Sequence, residues 1–259
     1  YGGFLSIGES ADITLRDCMI DSRKTYKTIG AAGKPVSMGS YGYSASHVVN
    51  FKMIGCRMEA VNDRSRWGVI GSNFMKNILL DGCVLSRMDV HQGVAGEYTI
   101  RKCTLGYAGL NAIGRGKLVV EDSTLHGGSL ISFRSDYGST WEGDVVIRNC
   151  RWIPNAGAIP ARPVLFGMSN DGTHDFGYAC FMPRTIKIDG LIIDDARHPE
   201  KYQGVFVFGD PIGSAKAARP FPYALTESVQ VQGVQTASGL PLGRTTNSEV
   251  ERAVAWTMP

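Results

Sequence analysis

The sequence predicts an all-β chain wound as a parallel β-helix, a solenoid of about seven or eight coils with long loop insertions. Three observations predict it. One phrase recurs along the chain: two apolar residues in alternation, a turn residue, a small residue, then another apolar residue. It recurs at 20 residues or more, the mark of a repeat architecture whose units bury their apolar side only against their neighbours. The spacing varies, with anchors 38, 27, 20, 20, 27, 41 and 43 residues apart, whereas propeller blades are longer and near-constant.

The copies run in order. The first two are Ile13-x-Leu15-Arg-Asp-Cys18-x-Ile20 and Phe51-x-Met53-Ile-Gly-Cys56-x-Met58. Then come Ile78-x-Leu80-Asp-Gly-Cys83-x-Leu85, Tyr98-x-Ile100-Arg-Lys-Cys103-x-Leu105 and Leu118-x-Val120-Glu-Asp-Ser123-x-Leu125. The series continues with Val145-x-Ile147-Arg-Asn-Cys150-x-Trp152, Ile186-x-Ile188-Asp-Gly-Leu191-x-Ile193 and Val229-x-Val231-Gln-Gly-Val234. Period-2 alternation makes each a strand, and the Asp, Asn or Gly before the anchor makes a tight turn. The strict six-residue rhythm of left-handed hexapeptide solenoids is absent.

A second strand is expected upstream of each anchor, at 4–9, 67–73, 110–115, 130–136, 164–170 and 204–210, and a third just after it. Insertions rich in Gly, Pro, Ser and Asp fall at 21–47, 153–163, 170–184, 194–203 and 211–228. The only helical signal is a capped turn within 246–255. The repeat makes 1–238 one β-helical domain and 239–259 a tail packing on or capping it. The first residues read as strand, so an earlier coil or cap is expected upstream.

Composition narrows the function. A net charge of +3 with scattered Lys and Arg gives no nucleic-acid footprint. No apolar run approaches the roughly 20 residues of a membrane span. Five of the six cysteines occupy the anchor position, where Ser123, Leu191 and Val234 also stand. They read as a buried ladder of small side chains, reduced rather than cross-linked. Without CxxC pairs a zinc site is not expected, and unpaired thiols suit folding in a reducing cytoplasm.

Outward side chains of a β-helix stack into columns. Aligning the upstream strands puts Asp136, Asn170 and Asp210 in one column, beside Arg115, Arg134, Ser135 and Ser169. The segment 134–141 adds Tyr137 and Trp141, and one coil on come Asp171, His174, Asp175 and Tyr178. Carboxylates for acid–base work and flat rings for stacking are what a carbohydrate site uses. Hydrolysis would use Asp136 with Asp210, about 9.5 Å apart over two coils as in an inverting pair. Asp136 with Asp171, one coil apart, would match a retaining pair. Elimination would use Tyr137 or His174 as base, with Arg134 neutralising a uronate. Tyr137, Trp141, Asn170, Arg115 and Tyr178 would bind substrate. His91 beside Asp89 is a further candidate. The plainer reading is a turn network in which Arg134 pairs with Asp136. Asp171, His174 and Asp175 carry too few carboxylates for calcium, so no metal or cofactor is expected.

The phrase I-x-I-x-[DNG]-C-x-[LIW], carried over 4–238, resembles the right-handed parallel β-helix superfamily: pectate-lyase-like enzymes, polygalacturonase-like hydrolases and phage tailspikes. It specifies fold far more than activity. Neither a pectate-lyase calcium constellation nor a polygalacturonase paired-Asp motif stands at matched positions, so no catalytic residue carries over. The resemblance implies a polysaccharide or cell-surface glycan as partner, and cleavage by a tailspike-like depolymerase, glycosidase or lyase. It also implies a homotrimer and an extracellular or virion-associated (phage tail) setting, with a secreted bacterial protein as the other. The alternative is a non-catalytic receptor-binding, fibre or adhesin module.

Overall fold

The computed structural model describes residues 5–20, 26–29, 35–38, 43–58, 70–154, 159–171, 173, 180–211 and 223–259. Among these, seventeen strands form one sheet wound into a solenoid. The anchor strands stack in register as Leu15, Met53, Leu80, Ile100, Val120, Ile147, Ile188 and Val231, each parallel to the next. The repeat is therefore the rung of a parallel β-helix.

The turn before each anchor explains the motif. Its residue is left-handed in all eight copies: Asp17, Gly55, Gly82, Lys102, Asp122, Asn149, Gly190 and Gly233. Gly, Asn and Asp enter that region at least expense. Lys102 is the exception, and its L side chain costs about 1–2 kcal/mol there.

Inside the rod the anchors form the expected ladder. All six cysteines are free; Cys56, Cys83, Cys103 and Cys150 are buried. Their thiols rest on the coil before: Cys56 Sγ donates to the Leu15 carbonyl, Cys83 Sγ to Met53 and Cys150 Sγ to Val120, each at 3.4 Å. Ser123 fills the same position, its hydroxyl accepting from the Cys103 amide at 3.0 Å. Burial pushes the Cys56 and Cys150 thiols up to about 11, out of the reactive range. Cys18, expected to be buried, is only half-buried, because it belongs to the first coil described.

The second face differs in register from the expected alignment. Its strands Ser129–Phe133, Val164–Gly167 and Phe206–Phe208 level Ile131 with Phe166 and Phe208. Behind them the rings of Phe133, Phe166 and Phe208 step along the axis at 6.3 and 5.9 Å. Trp256 meets Phe208 edge-on at 6.1 Å.

The tail continues the sheet. Gly243 bridges to Phe206, and Ala255–Thr257 pairs with Ser228–Gln230 as a partial further coil. Between them the short helix Ser248–Ala253 buries Val250 against the end of the core.

A buried carboxylate staples an insertion to this end. Asp195 accepts from the Tyr202 hydroxyl at 2.6 Å, the Ser238 hydroxyl at 2.7 Å and the Ser238 amide at 2.8 Å. Burial works to raise its pKa, but these hydrogen bonds outweigh it and hold the carboxyl below its ordinary value. A depressed folded pKa stabilises fully above the unfolded value, about 3.9 for Asp, and is lost as pH falls through the folded one. Asp195→Ala is therefore expected to destabilise the fold by about 1–3 kcal/mol at pH 7 and by progressively less below about pH 4. Melting curves from pH 2 to 7 check this; an equal deficit at every pH would refute it.

Candidate functional site

The candidate site grows from the second face where the chain leaves it at Phe133. The next residues form a single 3-10 turn, Ser135–Tyr137, closed by Gly138 with φ 80°. A Cβ on Gly138 would lie 2.5 Å from Cys180 Sγ and 3.4 Å from Asn170 Nδ2, so only glycine lets the turn settle there. Ser139 ties the loop down, its hydroxyl donating to the Phe133 carbonyl at 2.6 Å.

That loop aims Arg134 and Asp136 at the same place. Arg134 binds Asp136 through two donors, Nε to Oδ1 at 3.0 Å and Nη2 to Oδ2 at 2.5 Å. Its remaining Nη1 reaches Asp89, at 3.1 and 3.3 Å from the two oxygens. Asp89 is fully buried and also paired with Arg87 at 2.7 Å. With its amide oriented to satisfy both neighbours, Asn111 accepts from Arg87 at 2.8 and 3.1 Å and donates to Ser132 at 3.3 Å. Asp136 stands at the open end of this network, 28% exposed.

One coil on, Asp171 lies against the same turn. Its amide donates to the Ser135 carbonyl at 3.1 Å, and its carboxylate accepts from the Ser135 hydroxyl at 3.3 Å and the Thr173 amide at 2.9 Å. Asp136 and Asp171 are thus outward carboxylates on neighbouring coils.

The expected column through Asp136, Asn170 and Asp210 does not form. Extending the observed pairing from Ile131, Phe166 and Phe208 levels Asp136 with Asp171, and puts Asp210 level with Phe133. Asp210 instead accepts from Asn247 at 2.7 Å, the residue that caps the short tail helix. Asn170 is 2% exposed, packed beneath Gly138. Trp141, expected as a sugar platform, is buried against Phe133 and donates to the Asp144 carbonyl, so it offers no free face. Arg115 is exposed but lines a separate cleft with Phe74 and Glu142. His174 and Tyr178 lie outside the described residues, as do the side chains of Tyr137 and His91.

Sequence reasoning missed the buried half of the network. Arg87-Met-Asp89 and Arg134-Ser-Asp136 share the pattern Arg-x-Asp. That was the available signal.

The winding, the stacked rungs and the loops thrown from them define a right-handed parallel β-helix. Among the described residues no helix is long and apolar enough to cross a membrane. No family profile matches the chain. Over 106 residues it is 31% identical to a protein of Klebsiella phage P510 named "Depolymerase, capsule KL64-specific". The similarity takes in 37% of this chain, and the chain spans about a tenth of that relative's length (10%).

Proposed function

We propose that the chain is the β-helical part of a virion-associated depolymerase that binds a capsule-type polysaccharide and hydrolyses it at Asp136 and Asp171. One observation carries the reading: two outward carboxylates on neighbouring coils, one of them held by an arginine anchored on a buried aspartate. The phage relative supports the substrate class. One coil step of about 4.8 Å suits the roughly 5–5.5 Å of a retaining pair. Asp136, fixed by Arg134, attacks the anomeric carbon. Asp171 protonates the departing oxygen, then takes a proton from the water that releases the sugar.

Hydrolysis is favoured over elimination by the state of Arg134. Its Nε, Nη1 and Nη2 are all engaged by Asp89 and Asp136, which leaves it ill-placed to neutralise a uronate. The expected products are reducing ends with retained anomeric configuration and no ultraviolet-absorbing unsaturation. Proton NMR of a fresh digest of purified capsular polysaccharide reads both. An inverted anomer would reject this pair, and an unsaturated product would reject hydrolysis. Binding without any cleavage would favour a receptor-binding module.

A further inference from the structure

Where the second face turns toward the anchor face, successive coils place a residue in the left-handed region: Glu9 (φ 46°), His47 (56°), Phe74 (51°) and Gly93 (48°). Glycine suits that corner. Phe74 occupies it at a strain of about 1–2 kcal/mol, and does so 54% exposed. One face of its ring rests on His47, with centroids 5.3 Å apart and planes 23° from parallel. Toward the next coil stands Gly93, where an added Cβ would lie 4.0 Å from the ring. With no side chain at Gly93, nothing from that position covers the ring.

This corner opens into a cleft of about 430 Å³ with Lys76, Gly93, Gly114, Arg115, Glu142 and Phe181 in its walls. A second cleft of about 510 Å³ shares Glu142 and Phe181 and continues past Lys117, Asp144 and Arg184 to Glu227. The floor is flat because glycines stack there: a Cβ on Gly116 would lie 2.1 Å from the Gly96 carbonyl oxygen, and one on Gly143 1.9 Å from that of Gly116. From Lys76 to Glu227 the groove crosses five coil steps, on the order of 24 Å along the axis.

The charges in this groove are unevenly satisfied. Asp144 and Arg184 neutralise each other at 2.8 Å. Lys76 and Arg115 form no ion pair or hydrogen bond through their side chains with any described residue, whereas the charge of Lys117 acts on Asp144 beside Arg184. Arg115 lies directly across the rung from Glu142 without pairing to it. At the Phe74 end Lys76 and Arg115 outnumber Glu142, and an elongated, flat-floored groove with an aromatic face and this excess of cations matches a sugar chain bearing negative charge.

We propose that this axial groove binds acidic polysaccharide, one sugar ring stacking on Phe74 and a carboxylate of the chain meeting Arg115 and Lys76. The proposal rests on the reading that the chain acts on polysaccharide, and assigns binding to a surface other than the Asp136–Asp171 pair. The test uses the full chain carrying Asp136→Asn, on a panel of immobilised acidic bacterial capsular polysaccharides with dextran as the neutral control. At least one acidic polysaccharide is expected to bind, more weakly as salt rises, and dextran is not. Phe74→Gly is expected to weaken binding roughly tenfold, the scale of one aromatic stack. Because glycine suits φ 51°, its melting temperature is expected to hold or rise, whereas loss of a merely structural ring would lower it. Arg115→Ala is expected to weaken binding similarly, and Phe74→Trp to keep it. Absence of binding across the panel, equal binding to dextran, or undiminished binding in both Phe74→Gly and Arg115→Ala would overturn the proposal. Wild-type cleavage by Asp136→Asn would overturn the catalytic reading and leave the groove result standing.

Discussion

Asp136→Asn is expected to lower polysaccharide cleavage by at least about a hundredfold while binding and folding persist. A positioned carboxylate contributes roughly 10²–10⁴-fold, and the amide supplies neither the nucleophile nor the proton acceptor. Folding should be nearly indifferent, because Asp136 and Arg134 are both partly exposed, at 28% and 16%, and such pairs contribute about 0–1 kcal/mol. The contrast is Asp89. It is fully buried between Arg87 and Arg134, so Asp89→Ala strands two partly buried guanidinium groups and should destabilise by about 3–5 kcal/mol. Viscometry of a polysaccharide digest, set beside melting curves of both variants, separates chemistry from support. Wild-type cleavage in Asp136→Asn would reduce the cluster to a turn network.

The second large effect lies in the core. Cys83→Arg is expected to abolish folding. Cys83 is wholly buried, its thiol 3.4 Å from the Met53 carbonyl and its amide 3.4 Å from Cys103 Sγ. An arginine there would bring an unpaired charge into a fully buried stack. Cys83→Ala, which removes one sulfur and adds nothing, should cost on the order of 1 kcal/mol. Circular dichroism of the refolded variants distinguishes the two, and a folded Cys83→Arg protein would mean that the ladder tolerates opening. Thiol counting on the wild type in denaturant without reductant should return six.

The anchor face was legible in the sequence because two signals coincide there. Inward residues alternate cleanly, as in Leu118 and Val120 or Val145 and Ile147, and a left-handed turn follows at a fixed offset. A one-residue slip would turn every apolar residue outward, so register is determined. The second face lacks both signals. Its strands are three to five residues long, and adjacent residues are buried together: Leu130 with Ile131, Leu165 with Phe166, Val207 with Phe208. With alternation lost, nothing in the sequence fixes the level, and Asp210 came out of line with Asp136. Trp141 departs from the expected sugar platform for a related reason. It stands after a Gly-Ser-Thr loop yet begins the strand Trp141–Pro154, whose first residue turns into the core. The Arg134–Asp89 contact spans 45 residues, a distance over which local pattern carries no information.

The register also separates what the rod is from what it carries. Rungs stay aligned whether the anchors lie 20 residues apart, as Cys83 and Cys103 do, or 43, as Leu191 and Val234 do. Doubling a loop costs only about 0.6 kcal/mol of closure entropy. Segments between rungs are thus open to exchange by recombination, with the solenoid as an unchanged chassis. The two Arg-x-Asp arms behave differently, since Arg134 and Asp89 are useful to each other only together. In descent, the loops of such a rod would diversify quickly, and these four residues would change as a unit.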